Sequence, residues 1–380
     1  MTTWKTALPL IGISCWMSGI AAADESVMLR PKFKQGDSIY IELDQQIARD
    51  QSGRGIPGGS MTIHTRRTYG FIQEVKAVSA SKTYLNLTFD RVSQKFDAGP
   101  MADFYFDSDA PAHEDTDEQV AEAMSPMLGM TLQLEFDKDF HVTTASGMIP
   151  LREKVGKALG QNMLLRQILW QELDDARAKV MYGESRFALY PNKEVKVGDE
   201  WTRTFTDQHP QIGVALHTYH CKLDRISEEG GRKVAIITFE GTVANKPSAA
   251  GASDETDPMK VDGQSTGTGT FDIDQGLIVK TSLEGKTKLR TLDEEGKESK
   301  SGMNIDMEIK TTWTVMPVAE REKIKAENAK VTEAAQKAAA EKKAARKKAG
   351  EERRAKAKAE PKEDEADSDD ESDDDADADE

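Results

Sequence analysis

Apolar and polar residues alternate along most of the chain between Val27 and Val318, which predicts β-strands with one buried and one wet face. The alternation is clear over Ser38–Ile47 and Thr62–Val75. A different pattern fills the middle of the chain, where apolar residues recur at helical spacing within residues 151–186. The pattern therefore predicts a mainly β protein with two antiparallel β-rich halves joined by a helical segment.

Short segments of the first half return in the same order in the second half. The pairs are Lys32–Asp37 with Glu194–Asp199, Val78–Phe89 with Ile226–Phe239, and Phe136–Val142 with Ile273–Val279. In the first pair Gly-Asp separates two alternating runs, which predicts a turn because glycine adopts positive φ and aspartate bonds its own backbone. Three echoes in one order favour two similar β units, although any two antiparallel meanders share some likeness.

Composition divides the chain into consecutive segments. They are a signal peptide (residues 1–23), a first β unit (24–150) with an acidic insertion (97–127), a helical connector (151–186), a second β unit (187–318), a charged Ala/Lys/Glu helix (319–360) and a disordered acidic tail (361–380). The helix carries a thin heptad stripe that indicates at most a weak coiled coil. The tail has no branched apolar residue and is expected to be disordered.

The first residues have the features of a secretory signal. Lys5 precedes an apolar run that ends in Ala21-Ala22-Ala23, a small-residue cleavage site. No later apolar run reaches the length of a membrane helix, so we expect a mature chain without a transmembrane segment, in the periplasm or secreted. Lipid attachment at Cys15 is the competing interpretation, but leucine is missing three positions upstream. Cleavage would leave Cys221 alone, without an internal disulfide.

Charge excludes one class of partner. The net charge is −16, and the acidic residues are concentrated in the tail, where Lys362–Glu380 carries 1 basic and 13 acidic residues. A chain this acidic is a poor candidate for nucleic-acid binding, which needs a basic face. The tail could hold Ca²⁺ loosely, although charge repulsion that keeps the protein soluble is the favoured explanation.

A possible nucleophile motif has the wrong surroundings. Gly263-Gln264-Ser265-Thr266-Gly267 fits the G-x-S-x-G pattern, which requires a strand before it and a helix after it. A β-like run, Thr268–Ile273, follows instead, so we interpret the motif as a flexible loop without catalytic function.

One cluster of potential metal ligands stands out. His217, His220 and Cys221 lie close in sequence, but on a strand only His217 and Cys221 share a face, so a further ligand would have to come from His209 or His64. Partly buried strand residues are the favoured interpretation.

The residue spacing also argues against a calcium-binding loop. Asp272, Asp274 and Gly276 lack the glycine position and the twelfth-position glutamate of such a loop, and a hairpin turn explains them better. No catalytic, cofactor-binding or metal residue is therefore predicted, and no cofactor.

A family resemblance rests on three motifs: Lys34–Asp37, Tyr190–Trp201 and Gly267–Asp272. With the signal sequence before them, they resemble an uncharacterised family, a domain of unknown function, of exported bacterial β-rich proteins that are often lipoproteins. The resemblance covers about Val27–Val318. It implies no known activity, and the charged tail lies outside it.

We expect an exported, non-enzymatic envelope protein that binds an apolar or polymeric ligand, a lipid for example, or a partner protein. The alternative is a structural or interaction protein that acts through its charged C-terminal helix and tail. A hydrolase or metal-dependent enzyme ranks third, because no set of His, Ser, Asp or Cys has a spacing that demands chemistry.

Overall fold

The structure, a computed structural model, describes residues 26–54, 56–110, 116–160, 166, 173–209, 212–246, 259–293, 295–299 and 301–359. The predicted signal peptide, Cys15 and the acidic tail 361–380 lie outside the described residues. The strands are β1 (Ser26–Met28), β2 (Ser38–Ser52), β3 (Ser60–Val78), β4 (Lys82–Asp97), β5 (Asp103–Asp107), β6 (Thr131–Asp137), β7 (Val142–Ser146), β8 (Glu194–Lys196), β9 (Glu200–His209), β10 (Gly213–Glu229), β11 (Arg232–Asn245), β12 (Met259–Asp272), β13 (Leu277–Thr291) and β14 (Asn304–Met316).

Helices are fewer among the described residues. They are α1 (Glu118–Met124), α2 (Met148–Ala158), α3 (Asp175–Ala178), a π-helix (Lys179–Glu184), α4 (Ser185–Phe187) and α5 (Val318–Ala359), with short 3₁₀ turns at Pro57–Gly59, Gly99–Met101 and Ser125–Met127. No described helix is long and apolar enough to cross a membrane. The chain forms two compact units, Met1–Ala329 and Lys330–Glu380, and the first contains every described strand.

The predicted antiparallel β class is confirmed. Twelve strands form one sheet in the order β7-β6-β4-β3-β2-β14-β13-β12-β11-β10-β9, with β5 beside β4, and all their pairings are antiparallel. The two halves of the chain do not form separate sheets, because β2 pairs with β14 from Tyr40–Met316 to Ser52–Asn304. A second, two-stranded sheet joins β1 to β8, again one strand from each half.

The two Gly-Asp turns have the same geometry. Gly36 (φ 88°) precedes β2 and Gly198 (φ 94°) precedes β9. In each turn the glycine N–H donates to a carbonyl of the strand that pairs with the one after the turn. The distance is 2.8 Å from Gly36 to Val75 on β3 and 2.8 Å from Gly198 to Leu223 on β10. No atom lies within 4 Å of a Cβ added to either glycine, so positive φ alone requires glycine here.

The other echoed segments also take corresponding places. The pair Val78–Phe89 and Ile226–Phe239 lies at the β3–β4 hairpin and at the β10–β11 hairpin. The pair Phe136–Val142 and Ile273–Val279 lies at the β6–β7 hairpin and at the β12–β13 hairpin. β5 belongs to the acidic insertion of the first half and has no counterpart. The second half adds β14, the strand that joins the two meanders.

Alternation along the strands places the core on one side of the sheet. Leu85, Leu87 and Phe89 of β4 are buried, whereas Tyr84 is 38% exposed. Tyr84 lies between the buried Thr83 and Leu85, so the strict alternation of β4 places it on the opposite face. We call the face that carries the buried residues of β4 the inner face.

The helical segment between the halves packs on the inner face and contacts both edges of the sheet. Tyr182 makes edge-to-face contact with Phe71 of β3, at 5.0 Å between ring centroids, and with Trp313 of β14, at 6.5 Å. At one edge the Glu184 carboxylate accepts a 2.9 Å hydrogen bond from the backbone N–H of Val142 on β7. At the other edge Arg177 contacts Asp207 of β9. The sheet therefore curls around this segment.

The first turns of α5 lie against the outer face of the sheet. The Arg321 guanidinium is only 2% exposed and donates to Asp90 at 2.7 Å and to Asp109 at 2.7 and 2.9 Å. Its carbon lies 5.0 Å from the centre of the Tyr40 ring. Gly70 makes room for this ring, because a Cβ there would come within 2.0 Å of the Tyr40 hydroxyl. We call Arg321 with its two aspartates the Arg321 clamp.

Candidate functional site on the inner face

Five small residues lie side by side on the inner face of β11, β12 and β13. Ser265 pairs with Gly241 on one side and Gly285 on the other, and Gly263 pairs with Thr287. We call these five residues the small-residue band. A Cβ on Gly263 would lie 2.5 Å from Val243 and 2.7 Å from the Thr287 hydroxyl, so the neighbouring strands leave space there for glycine alone.

The band separates two apolar clusters. The main core lies on one side, and a smaller cluster of Ala215, Met259, Val261, Leu289 and Ile305 lies on the other. Beside the band, Gly285 pairs with Ile309 of β14, and Ile309 pairs with Ile47 of β2. Both isoleucines are partly exposed and belong to neither cluster. The inner face therefore offers accessible apolar surface that the protein's own core does not use.

A polar row crosses the same face next to the band. The Gln45 amide donates to Thr311 at 3.0 Å, and Arg67 donates through Nε to the Gln45 carbonyl oxygen at 2.8 Å. Gln94 lies directly opposite Arg67 on β4 and is 1% exposed. Its amide nitrogen and oxygen have no hydrogen-bond partner in the part of the chain that the structure describes. Burial lowers the pKa of Arg67.

Two further arginines carry charge on this face. Arg49 lies two residues beyond Ile47 on β2, and its buried Nε has no hydrogen-bond partner among the described residues. Burial, and then the charge of Arg67, lower the pKa of Arg49. Arg177 donates to Asp207 of β9 at 2.6 Å. The inner face therefore combines apolar surface with guanidinium groups.

The structure separates the potential metal ligands. His217 and Cys221 lie on the inner face of β10, opposite Val243 and Phe239, whereas His220 lies on the outer face and contacts the Thr202 hydroxyl at 3.0 Å. Nothing is described of the His209 side chain, and His64 is exposed on the outer face of β3. No group of three His, Cys, Asp or Glu side chains in the described residues could hold a metal ion.

The inward histidine and cysteine of β10 are poorly suited to catalysis. The His217 ring stacks on Phe205, with centroids 4.8 Å apart, and burial lowers its pKa to about 4. Burial raises the pKa of Cys221 to about 12, so its thiol stays protonated at neutral pH. The first side chain is a neutral stacked ring and the second a buried thiol.

Two other sequence motifs have structural explanations. The Gly263–Gly267 stretch lies within β12, so its interpretation as a flexible loop is wrong. Its residues alternate between the two faces, and the glycines that suggested a loop allow neighbouring strands to approach closely. The Asp272–Gly276 stretch forms the β12–β13 hairpin turn, in which the Asp272 carboxylate accepts from the N–H of Gln275 at 2.8 Å.

Sequence reasoning missed Gln45, Arg49, Arg67 and Gln94. One signal could have revealed two of them, because Ile41, Leu43, Gln45, Ile47 and Arg49 occupy successive inward positions of β2. A glutamine and an arginine in an inward series of apolar residues mark a buried polar position. Nothing local in the sequence shows that β3 and β4 continue the row.

The geometry thus defines an antiparallel β protein with a polar row on a partly apolar inner face. Residues 80–278, which extend from the first half into the second, match a family of unknown function, DUF6263, and the chain belongs to that family. No curated protein matches the chain.

Solved structures show only distant likeness. A lipovitellin chain, described in terms of its lipid–protein interactions, is similar over 75% of this chain at 9% identity, with a TM-score of 0.35, and this chain spans 25% of that chain. Pseudomonas aeruginosa OccK7 (OpdD) aligns over 74% of this chain and 100% of its own, at 9% identity and a TM-score of 0.20. DynF of Micromonospora chersina aligns over 81% and 92%, at 7% identity and 0.18.

Proposed function

We propose that this protein is an exported, non-enzymatic binding protein that holds an apolar or amphiphilic ligand on the inner face of its sheet. One observation carries the proposal: partly exposed apolar residues, Ile47 and Ile309, lie beside the small-residue band and outside both apolar clusters. Apolar surface left over on a curled sheet is typical of ligand-binding sites.

The chemistry of the inner face supports binding instead of catalysis. A nucleophile needs a base within hydrogen-bond reach, and the inward Cys221 is a protonated thiol. His217, the inward histidine, is held neutral against Phe205. We therefore assign these side chains to the packing of the site.

Export and duplication belong to the same proposal. The signal-like first 23 residues support export to the periplasm or beyond. The matching turns at Gly36 and Gly198, with equivalent hydrogen bonds, support descent of the two meanders from one repeated unit. Under this proposal the repeats fused edge to edge, and the binding face was completed where β14 met β2.

The test is native purification followed by mass spectrometry of the extracted ligand, compared between two variants of neighbouring residues. Ile309 faces inward and Lys310 faces outward on the same strand. Ile309→Asp should remove the ligand, with affinity falling at least about tenfold, or about 1.4 kcal/mol. Lys310→Asp should retain it. A chain that carries no apolar compound, or that loses it equally in both variants, would contradict the proposal.

A second candidate function is interaction with a partner through the charged C-terminal region. The Arg321 clamp favours it, because it fixes the start of α5 to the sheet. A truncation at residue 319 would remove the clamp, so the informative truncation follows Ala329. Loss of a partner in pull-down experiments with residues 1–329, at unchanged thermal stability, would support this function. Unchanged partner binding would exclude it.

A further inference from the structure

Arg49 is the charged group on the inner face that the fold explains least. It occupies an inward position of β2, where Leu43 and Ile47 precede it at the same alternation. Its Nε is buried, and no hydrogen bond or ion pair joins it to another described residue. A buried N–H donor is unfavourable unless an acceptor replaces its lost hydration. The position therefore needs an explanation other than core packing.

Other arginines lie near Arg49. Arg67 and Arg177 lie near enough for their charges to act on one another, and Arg67 acts in the same way on Arg49. Arg177 is paired with the carboxylate of Asp207, at 2.6 Å. His217 adds no charge at neutral pH. Arg49 itself forms no ion pair with a described residue, so its positive charge, with that of Arg67 nearby, attracts anions.

Gln94 supplies an independent observation. Its side chain is 1% exposed and lies opposite Arg67, at the end of the polar row. Neither its amide nitrogen nor its oxygen has a hydrogen-bond partner in the described part of the chain. Buried amides in folded proteins are nearly always satisfied by protein, water or ligand. Like the Nε of Arg49, this amide is a buried polar group of the inner face that the described residues leave unsatisfied.

We propose that the inner face binds an amphiphile with a single anionic head group, a carboxylate or a phosphate monoester, and that Arg49 binds this head group. The apolar chain lies over Ile47, Ile309 and the small-residue band. Arg49 is about 7 Å along β2 from Ile47, since a strand rises about 3.4 Å per residue, so head and chain fit adjoining positions. Guanidinium suits such a head group because it can donate two parallel hydrogen bonds.

This inference rests on the proposed function and narrows its ligand class. The test is calorimetric titration of the chain, stripped of bound ligand, with dodecanoate, methyl dodecanoate, acetate and inorganic phosphate. The variants are Arg49→Gln and Arg49→Lys. The control is Arg66→Gln. Arg66 is an exposed arginine on the outer face of β3, the strand next to β2, and it pairs with Asp44 of β2.

Wild-type protein should bind dodecanoate at least tenfold more tightly than its methyl ester. Arg49→Gln should bind dodecanoate only as tightly as it binds methyl dodecanoate. Arg49→Lys should retain part of the affinity difference between the two probes, and Arg66→Gln should retain all of it. Equal binding of acid and ester by wild-type protein would overturn the inference whether or not any variant folds, and would leave the proposed function standing. Acetate or phosphate that binds as tightly as dodecanoate would also overturn the inference, because the site would then bind small anions without using the apolar chain. Failure of both long-chain probes would refute the proposed function itself.

Discussion

Replacing Arg321 by glutamine tests whether the Arg321 clamp holds α5 to the sheet. The change keeps a polar side chain but removes the charge from three hydrogen bonds to two aspartates. The side chains of Asp90 and Asp109 are 7% and 5% exposed, so both carboxylates would remain in a site with little water. The stacking contact with Tyr40 would also be lost.

The expected loss of stability follows from the remaining partners. Breaking a buried ion pair from one side costs about 3–5 kcal/mol. Lys325 still contacts Asp90 at 2.8 Å, and Arg91 lies 3.6 Å from Asp109, so partial compensation places the loss near the lower limit, at about 3 kcal/mol. Arg321→Met combined with Asp90→Leu and Asp109→Leu should cost less than the single change, because no buried charge then lacks a partner.

Urea denaturation, followed by tryptophan fluorescence at pH 7, measures the free energy of unfolding of each variant. Arg225→Gln is the control, since Arg225 pairs with Asp224 at an exposed position and should contribute at most about 1 kcal/mol. An Arg321→Gln variant within 1 kcal/mol of wild type would refute the reasoning. So would a triple variant less stable than the single one.

The clamp also predicts a dependence on pH. Burial alone would raise the pKa of Asp109, but the hydrogen bonds and charge of Arg321 outweigh it, so the pKa is lowered. A carboxyl whose pKa is lowered in the folded state stabilises the fold above its unfolded pKa, near 4, and loses that contribution as pH falls through the folded pKa. The free energy of unfolding of wild-type protein should therefore fall on acidification through this range. The fall should be smaller in Arg321→Gln, in which the pKa of Asp109 is lowered less.

Three further predictions concern other parts of the fold. Between pH 6.5 and 4 only the unfolded chain protonates His217, because the pKa of His217 is lowered to about 4 in the folded state. Wild-type protein should therefore lose up to about 3 kcal/mol of stability over this range through His217, and His217→Phe should not show this loss; denaturant titrations across the range measure it. Gly36→Ala and Gly198→Ala should each cost about 1 kcal/mol by the same measurement, and clearly unequal losses would argue against equivalent turns. Gln94→Met should raise the free energy of unfolding of the ligand-free chain by about 1 kcal/mol, since it removes an unsatisfied buried amide, and a less stable variant would mean that the amide is satisfied.

Much of the local structure could be predicted from the sequence because it depends on neighbouring residues. Alternation located most strands, and glycine with aspartate located the turns at Gly36 and Gly198. The pairing of β2 with β14 could not be predicted in this way. The edges of two antiparallel meanders look alike in sequence, and their choice of partner depends on how the whole sheet curls. The strand containing Gly263–Gly267 was missed because small residues lack strand propensity, and close neighbours decide their conformation.

The candidate site was less accessible to sequence reasoning than the fold. The shared face of His217 and Cys221 followed from period-two alternation, and their register on β10 agrees with it. The polar row did not emerge, because Gln45, Arg67 and Gln94 come from three strands and meet only through pairing. Motif searches favour chemically reactive residues, whereas this face is composed of glycine, isoleucine and arginine.

The pairing of Tyr40 with Met316 and of Ser52 with Asn304 sets an order on biosynthesis. A ribosome makes β2 long before β14. The nascent chain therefore carries a long unpaired strand edge until residues 304–316 have been translated. Such an edge can pair with another chain, and contacts between residues so distant in sequence form slowly. The protein should therefore depend on chaperones during synthesis, and a chain that stops before residue 304 should aggregate instead of folding halfway.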